Sequence, residues 1–276
     1  MELENVGSFL WRNIIGRKSK NEGDAMGKYL NPGNEAFARI IKGNYIDKTG
    51  VIEVMNSTIG TTGSLSCLSR PRRFGKSFTA HMLCAYYDCS CDSHGLFDDL
   101  AISDTRDFET YINQYNVICF DVTSFISVAR RTNRPIAEIP TMITDALYEE
   151  MRALNPGLKD VNTFTDCMFK CVEGTESNPG RKFVFIIDEW DALIREAKDD
   201  AEAQKHYLDL LREWFKNISF TPKVVAAAYM TGILPIKKNG SQSAISDFVE
   251  YTVLYPDGFA EYTGFTEENV RKLCDT

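Results

Sequence analysis

No stretch of the 276-residue chain approaches the about 18 consecutive apolar residues that a membrane-crossing helix needs. No membrane partner is therefore expected. The opening residues carry Glu2 and Glu4 and no apolar core of the secretory kind, so no signal peptide is expected and a reducing cytoplasm is the default setting. Excess positive charge is also lacking. A formal net charge of -8 argues against coating nucleic acid through bulk charge, although a local basic groove remains compatible with it. Eight cysteines are present, but the paired two-residue spacings of zinc sites are not. Cys84, Cys89, Cys91 and His94 form a loose group, and Cys167 and Cys171 share a helix face; both read better as apolar packing than as ligands.

What is present is ordinary globular composition, 43% hydrophobic and 25% charged, with ample material for a core. The chain is organised around residues 64–77, SLSCLSRPRRFGKS. Leu65, Cys67 and Leu68 predict a short buried strand, and the run from Ser77 predicts a helix to about residue 88. The loop between them matches the phosphate-cradling pattern G-x-x-x-x-G-K-S/T at its last three positions, with Arg70 where the first glycine is expected. Each residue has a chemical reason to be there. Gly75 allows positive φ and close approach to a phosphate. Lys76 suits the β- and γ-phosphates, and the Ser77 hydroxyl suits Mg²⁺. The backbone of residues 73–77 at a helix start suits an anion. Arg70, Arg72 and Arg73 add charge. Pro71, Phe74 and Phe78 complete the expected nucleotide-binding segment.

A second anchor lies at Phe183–Glu189, FVFIIDE. Five apolar residues predict a strand buried on both faces, which delivers Asp188 and Glu189 to its carboxyl edge. Asp188 there suits Mg²⁺ together with Ser77, and Glu189 suits polarising a water for attack on the γ-phosphate. The two anchors reinforce each other, because nucleotides bind at the carboxyl ends of parallel strands. Further strands are predicted near 116–122, 223–230 and 249–254. Helices are predicted at 34–43, over the segment starting at Val51, at 136–154 with a start or kink at Pro140, and from Ala201 through Ile218. Thr231, at the end of the fourth strand, is a candidate γ-phosphate sensor. Tyr45 and Asp47, upstream of the first strand, are candidates for contact with the base. The alternation of strands and helices predicts an α/β, three-layer P-loop sandwich with a parallel sheet in the order 5-1-4-3-2. Residues 1–33 are expected to form a partly flexible extension before a domain spanning 34–276.

In order along the chain, NYIDKT, RPRRFGKS, VFIIDEWDA, MTGILPI and FAEYTGFTEENV resemble the AAA-ATPase-like family over about residues 35–276. Members of that family commonly join this ATPase to a C-terminal nuclease domain with a restriction-endonuclease fold. No second carboxylate-lysine nuclease motif occurs within these residues, so an ATPase domain without that nuclease is the expectation for them. The resemblance implies ATP as the nucleotide, Mg²⁺ as its ion, residues 70–77 as the phosphate loop, and Asp188 and Glu189 as metal partner and base. It makes Arg70 a family feature and carries over Asp47 without a chemical role. The family commonly has arginine where Pro235 stands; only Lys237 and Lys238 are near, which places hydrolysis in question more than binding.

Three functions stay open at this point: an ATPase that drives a conformational switch, a nucleotide-bound regulatory or interaction module with little turnover, and a partner in nucleic-acid processing. The protein or nucleic acid acted upon, and oligomerisation, stay open too. Arg195, Arg212 and Arg271 read as surface charges.

Overall fold

The computed structural model describes residues 27–175, 178–236, 245–255 and 257–274. Five parallel strands form one sheet: β1 (Leu65–Ser69), β2 (Asn116–Asp121), β3 (Phe183–Asp188), β4 (Val225–Gly232) and β5 (Val249–Tyr251). Their order is β2-β3-β4-β1-β5, and every pairing is parallel. This is the expected P-loop arrangement: β4 separates the strand that carries the phosphate loop from the strand that ends in Asp188 and Glu189.

Side-chain alternation divides the core. Phe183, Phe185 and Ile187 of β3 face one cluster, while Val184 and Ile186 face the other. Both sets are apolar because helices cover both sides of the sheet. One face is packed by α1 (Glu35–Ile41), α2 (Gly50–Thr58) and α3 (Lys76–Tyr87). The other is packed by α4 (Val122–Thr132), α5 (Ile139–Leu154), α6 (Phe164–Glu173), α7 (Ala192–Glu196) and α8 (Ala201–Phe215). Tyr207, Leu210, Leu211, Trp214 and Phe215 form the buried stripe of α8, at the helical spacing read from the sequence. Trp214 lies 5.5 Å from the Phe185 ring and 5.7 Å from that of Phe164, which ties α8 to β3 and α6.

Helix starts follow local chemistry. The Asp121 carboxylate accepts from Thr123 N at 2.7 Å and caps α4, Thr163 caps α6, and Asp200 caps α8. Pro140 sits in the first turn of α5, where its missing N–H costs nothing, so the helix starts there and does not kink.

Two strands differ in extent from expectation. β4 runs two residues later because a short turn at Thr221–Val224, with Pro222 near its start, occupies the first residues. Thr231 and Gly232 are consequently paired within the sheet, opposite Leu68 and Ser69. β5 stops at Tyr251, where Thr252 N bonds back to Tyr255 O and turns the chain. At the far edge, Tyr29 and Asn31 pair with β2 through Cys119 N to Tyr29 O (2.8 Å) and Asn31 N to Val117 O (2.7 Å). The tail helix α9 (Glu267–Cys274) starts at Thr266, whose hydroxyl accepts from Asn269 N, and carries Glu267 and Glu268 in its first turn. No helix among the described residues is long and apolar enough to cross a membrane.

Candidate nucleotide site

The carboxyl edge of the sheet gathers the two sequence anchors. β1 ends at Ser69 and α3 begins at Lys76, so residues 70–75 form the loop. Arg73 (φ 70) and Gly75 (φ 77) both take the left-handed backbone, which folds the loop tightly onto the helix start. Lys76 is 5% exposed, and its Nζ donates to the carbonyls of Arg70 (3.3 Å) and Pro71 (3.2 Å). It also lies 3.5 Å from Glu189 Oε1. Ser77 Oγ donates to Asp188 Oδ2 at 2.5 Å. Lys76, Ser77, Asp188 and Glu189, remote in sequence, thus form one cluster.

Thr231 is fully buried, and its hydroxyl donates to Asp188 Oδ1. Glu189 N lies 3.0 Å from the same carboxylate oxygen and 3.4 Å from Thr231 Oγ1. Thr231 therefore supports Asp188 from the neighbouring strand. Glu189 itself is left-handed (φ 51), directly after β3, and Trp190 N closes the turn on Thr231 O at 2.8 Å.

Sequence reasoning missed two residues of this cluster. Arg195 is not the surface charge expected from its sequence position: its Nη2 donates to Glu189 Oε2 at 2.5 Å and its Nε to Asp191 Oδ2 at 3.1 Å. Asp191 is fully buried, and Oδ2 also accepts from Ile233 N (3.2 Å) and Leu234 N (2.8 Å). The i,i+4 spacing of Asp191 and Arg195, on the turn after Asp188-Glu189, was the available signal. The other two arginines are surface charges, Arg212 paired with Asp209 and Arg271 with Glu267. Lys237 and Lys238 lie outside the described residues.

The remaining sequence candidates divide. Arg72 and Arg73 are exposed on the loop. Arg70 is 4% exposed, with Nε 3.3 Å from Thr263 Oγ1 and Nη1 3.3 Å from its neighbour Ser69 O, so its guanidinium braces the loop against the tail. Tyr45 and Phe78 line a cavity of about 90 Å³ beside Phe74 and Gly75, together with Ile40, Met82, Tyr262 and Phe265. Its apolar walls, next to the start of α3, suit a planar base. Burial pushes the Tyr45 hydroxyl well above its ordinary range, so it stays neutral. The Asp47 carboxylate is committed elsewhere: it accepts from Thr49 N (2.8 Å), Thr49 Oγ1 (2.7 Å) and Ala101 N (2.7 Å), fixing the start of α2.

A strap from the tail forms one wall of this pocket. Gly264 N donates to Phe74 O at 3.2 Å. Gly264 is left-handed (φ 77), and a Cβ there would stand 2.9 Å from the Phe74 ring. Lys48 Nζ reaches Glu261 O (2.7 Å) and Asn269 Oδ1 (2.6 Å). Burial lowers the Lys48 ammonium from its ordinary range, against the pull of Asp47 and Glu261. Larger clefts exist at the β2 edge (about 590 Å³) and at the amino ends of the strands (about 990 Å³), but neither contains the loop or the acidic pair.

The donor set fits a magnesium-nucleotide complex: a hydroxyl and a carboxylate are hard oxygen donors for the ion, and the Lys76 ammonium faces oxygens that phosphate oxygens can replace. Among the described residues, no group of three or more His, Cys, Asp or Glu is arranged to hold a metal on protein ligands alone. Cys84 and Cys167 are buried, and each lies in one of the two apolar clusters.

The model of a family described as "Predicted AAA-ATPase" matches residues 32–241. A curated relative, an "Uncharacterized protein in vnfD 5'region" of Azotobacter chroococcum mcd 1, is 24% identical over 249 residues. That match covers 88% of this chain and 44% of the relative, so the chain spans less than half of the relative's length.

Proposed function

Because the chain belongs to the predicted AAA-ATPase family, we propose that it binds ATP with Mg²⁺ and hydrolyses the terminal phosphoanhydride to drive a conformational switch. The observation that carries this reading is the single cluster of Lys76, Ser77, Asp188 and Glu189 at the carboxyl edge of the sheet. Lys76 exchanges its carbonyl and carboxylate partners for the β- and γ-phosphates. Ser77 and Asp188 hold the ion, which supplies charge neutralisation when bound. Glu189 takes a proton from the attacking water as its oxygen bonds to the γ-phosphorus and the bond to the ADP oxygen breaks. The aromatic and aliphatic walls around Tyr45 and Phe78 receive the adenine.

The unit proposed to do this is residues 34–276, with 1–33 as an extension whose Tyr29 and Asn31 lie along β2. It is proposed to work in the cytoplasm on a protein or nucleic-acid partner, for which the exposed Arg72 and Arg73 offer charge beside the site. A second reading, a nucleotide-bound module with little turnover, is favoured by the pairing of Glu189 with both Lys76 and Arg195. Phosphate release by wild type, Lys76→Ala and Glu189→Gln separates the two. Hydrolysis predicts release from wild type alone, with Glu189→Gln retaining nucleotide. Equal release from wild type and Glu189→Gln, with binding intact, selects the module.

A further inference from the structure

Arg195 is held at two points. Its Nε donates to Asp191, a fully buried carboxylate that is itself fixed by the N–H groups of Ile233 and Leu234 where the chain leaves β4. Its Nη2 reaches Glu189 Oε2 at 2.5 Å. The Arg195 side chain is 20% exposed, so it borders the site without being free in solvent. A planar fork anchored by one nitrogen and presenting another gives direction as well as charge.

Glu189 thus has two cationic partners, Lys76 on Oε1 and Arg195 on Oε2. They have different fates in a hydrolytic cycle. Lys76 must turn to the phosphates. Arg195 stays, because its other end is tied to buried Asp191. When a polyanionic nucleotide occupies the loop, Glu189 loses one cation and gains a negatively charged neighbour. A carboxylate in that position is repelled unless a cation remains beside it. The left-handed backbone at Glu189 sets where the side chain leaves the chain but does not restrain its far end.

We propose that Arg195 is the positioning residue for Glu189: it holds the carboxylate beside the γ-phosphate and aimed at the attacking water once Lys76 has moved to the nucleotide. The chain then supplies this arginine in cis, two turns of backbone beyond β3. This rests on the ATPase reading above. Arg195 acts through Glu189, so removing it costs turnover and not nucleotide affinity, and the cost vanishes when Glu189 is already disabled.

The test is a double-mutant cycle on Arg195→Ala and Glu189→Gln, with Arg195→Lys as the conservative variant. Steady-state phosphate release gives kcat and KM, and a fluorescent non-hydrolysable ATP analogue gives affinity. The expected result is a kcat reduced about 100-fold in Arg195→Ala, the scale on which misplacing a reacting group acts, with KM and analogue affinity within about threefold of wild type on this same argument. Arg195→Lys recovers part of kcat, and the double variant is no slower than Glu189→Gln alone. An unchanged kcat in Arg195→Ala overturns the proposal. So do losses that multiply in the double variant, or a large fall in analogue affinity, which would make Arg195 a direct phosphate ligand. If Arg195→Ala does not fold, Arg195→Gln replaces it in the cycle. Wild type releasing no more phosphate than Lys76→Ala removes the ATPase reading and this proposal with it. Active wild type with an equally active Arg195→Ala removes this proposal only.

Discussion

At Gly75 and Glu189 the backbone is left-handed on both sides of the site, but the two positions tolerate it differently. Gly75 has no Cβ, and open space surrounds the place where one would stand. Gly75→Ala therefore meets no clash, only the conformational cost, about 1–2 kcal/mol. Urea denaturation of the nucleotide-free protein checks that value. Glu189 bears the same cost with its side chain in place, held by Arg195 and Lys76 and flanked by the backbone bond of Trp190 to Thr231. Thiols offer a second prediction at this scale. Burial pushes Cys91 and Cys171 up to about 11, so both are almost wholly protonated near neutrality and lack the nucleophilic thiolate. Exposed Cys274 is expected to alkylate first with iodoacetamide at pH 8, and the rates at Cys91 and Cys171 to rise steeply as pH climbs toward 11, read by peptide mass mapping. Lys76, Ser77, Asp188 and Glu189 were legible in the sequence because each sits at a fixed offset from an apolar run. Arg195 was only half legible: the i,i+4 spacing marks its pairing with Asp191, but its contact with Glu189 depends on α7 turning back over the end of β3, which the local residues ALIRE do not show. Asp47 was marked by its neighbours, and only the structure reveals that its oxygens serve Thr49 and Ala101.

Among the elements, those that were legible are those with a strong period. The apolar run of β3 and the stripe of α8 each have one solution, and both clusters of the core follow from them. Trp214 joins β3, α6 and α8, so Trp214→Ala is expected to destabilise by about 3–5 kcal/mol, measured as a shift of the denaturation midpoint at constant slope. The extents of β4 and β5 were less legible, since Pro222 and the turn at Thr252–Tyr255 act against strand-forming residues on either side. The strap was not legible as part of the site. Its contacts with the loop join residues about 190 positions apart, as in Arg70 with Thr263. Gly264→Ala would force the Phe74 ring to move and strain the strap backbone together. The expected outcome is weaker nucleotide binding, by roughly 1–2 kcal/mol, the cost of one left-handed residue with a Cβ, with little change in the far-ultraviolet circular dichroism. A fluorescent ATP analogue titrated into both proteins measures it.

For the molecule as a whole, a ligand that binds only the folded chain stabilises it by mass action, about 2.7 kcal/mol at 100 times its Kd. Mg²⁺-ATP is expected to raise Tm in wild type and in Glu189→Gln, and to leave Lys76→Ala unmoved, by calorimetry. The sheet order needed only the alternation of strands and helices and the rule that β4 must lie between the two anchors. The location of the apolar pocket beside the loop needed more, because its walls come from α1, the segment before α2, α3 and the strap, each too short or too irregular to declare a partner in sequence. The strap has a thermodynamic corollary. Lys48 binds Asn269 of α9 and lies beside the pocket, and Gly264 binds the loop itself. Any effect of pocket occupancy on the placement of α9 would pass through these two contacts. Linkage makes that relation reciprocal: a partner that grips α9 and tightens nucleotide binding tenfold must itself be bound tenfold more tightly when the nucleotide is present, about 1.4 kcal/mol in each direction.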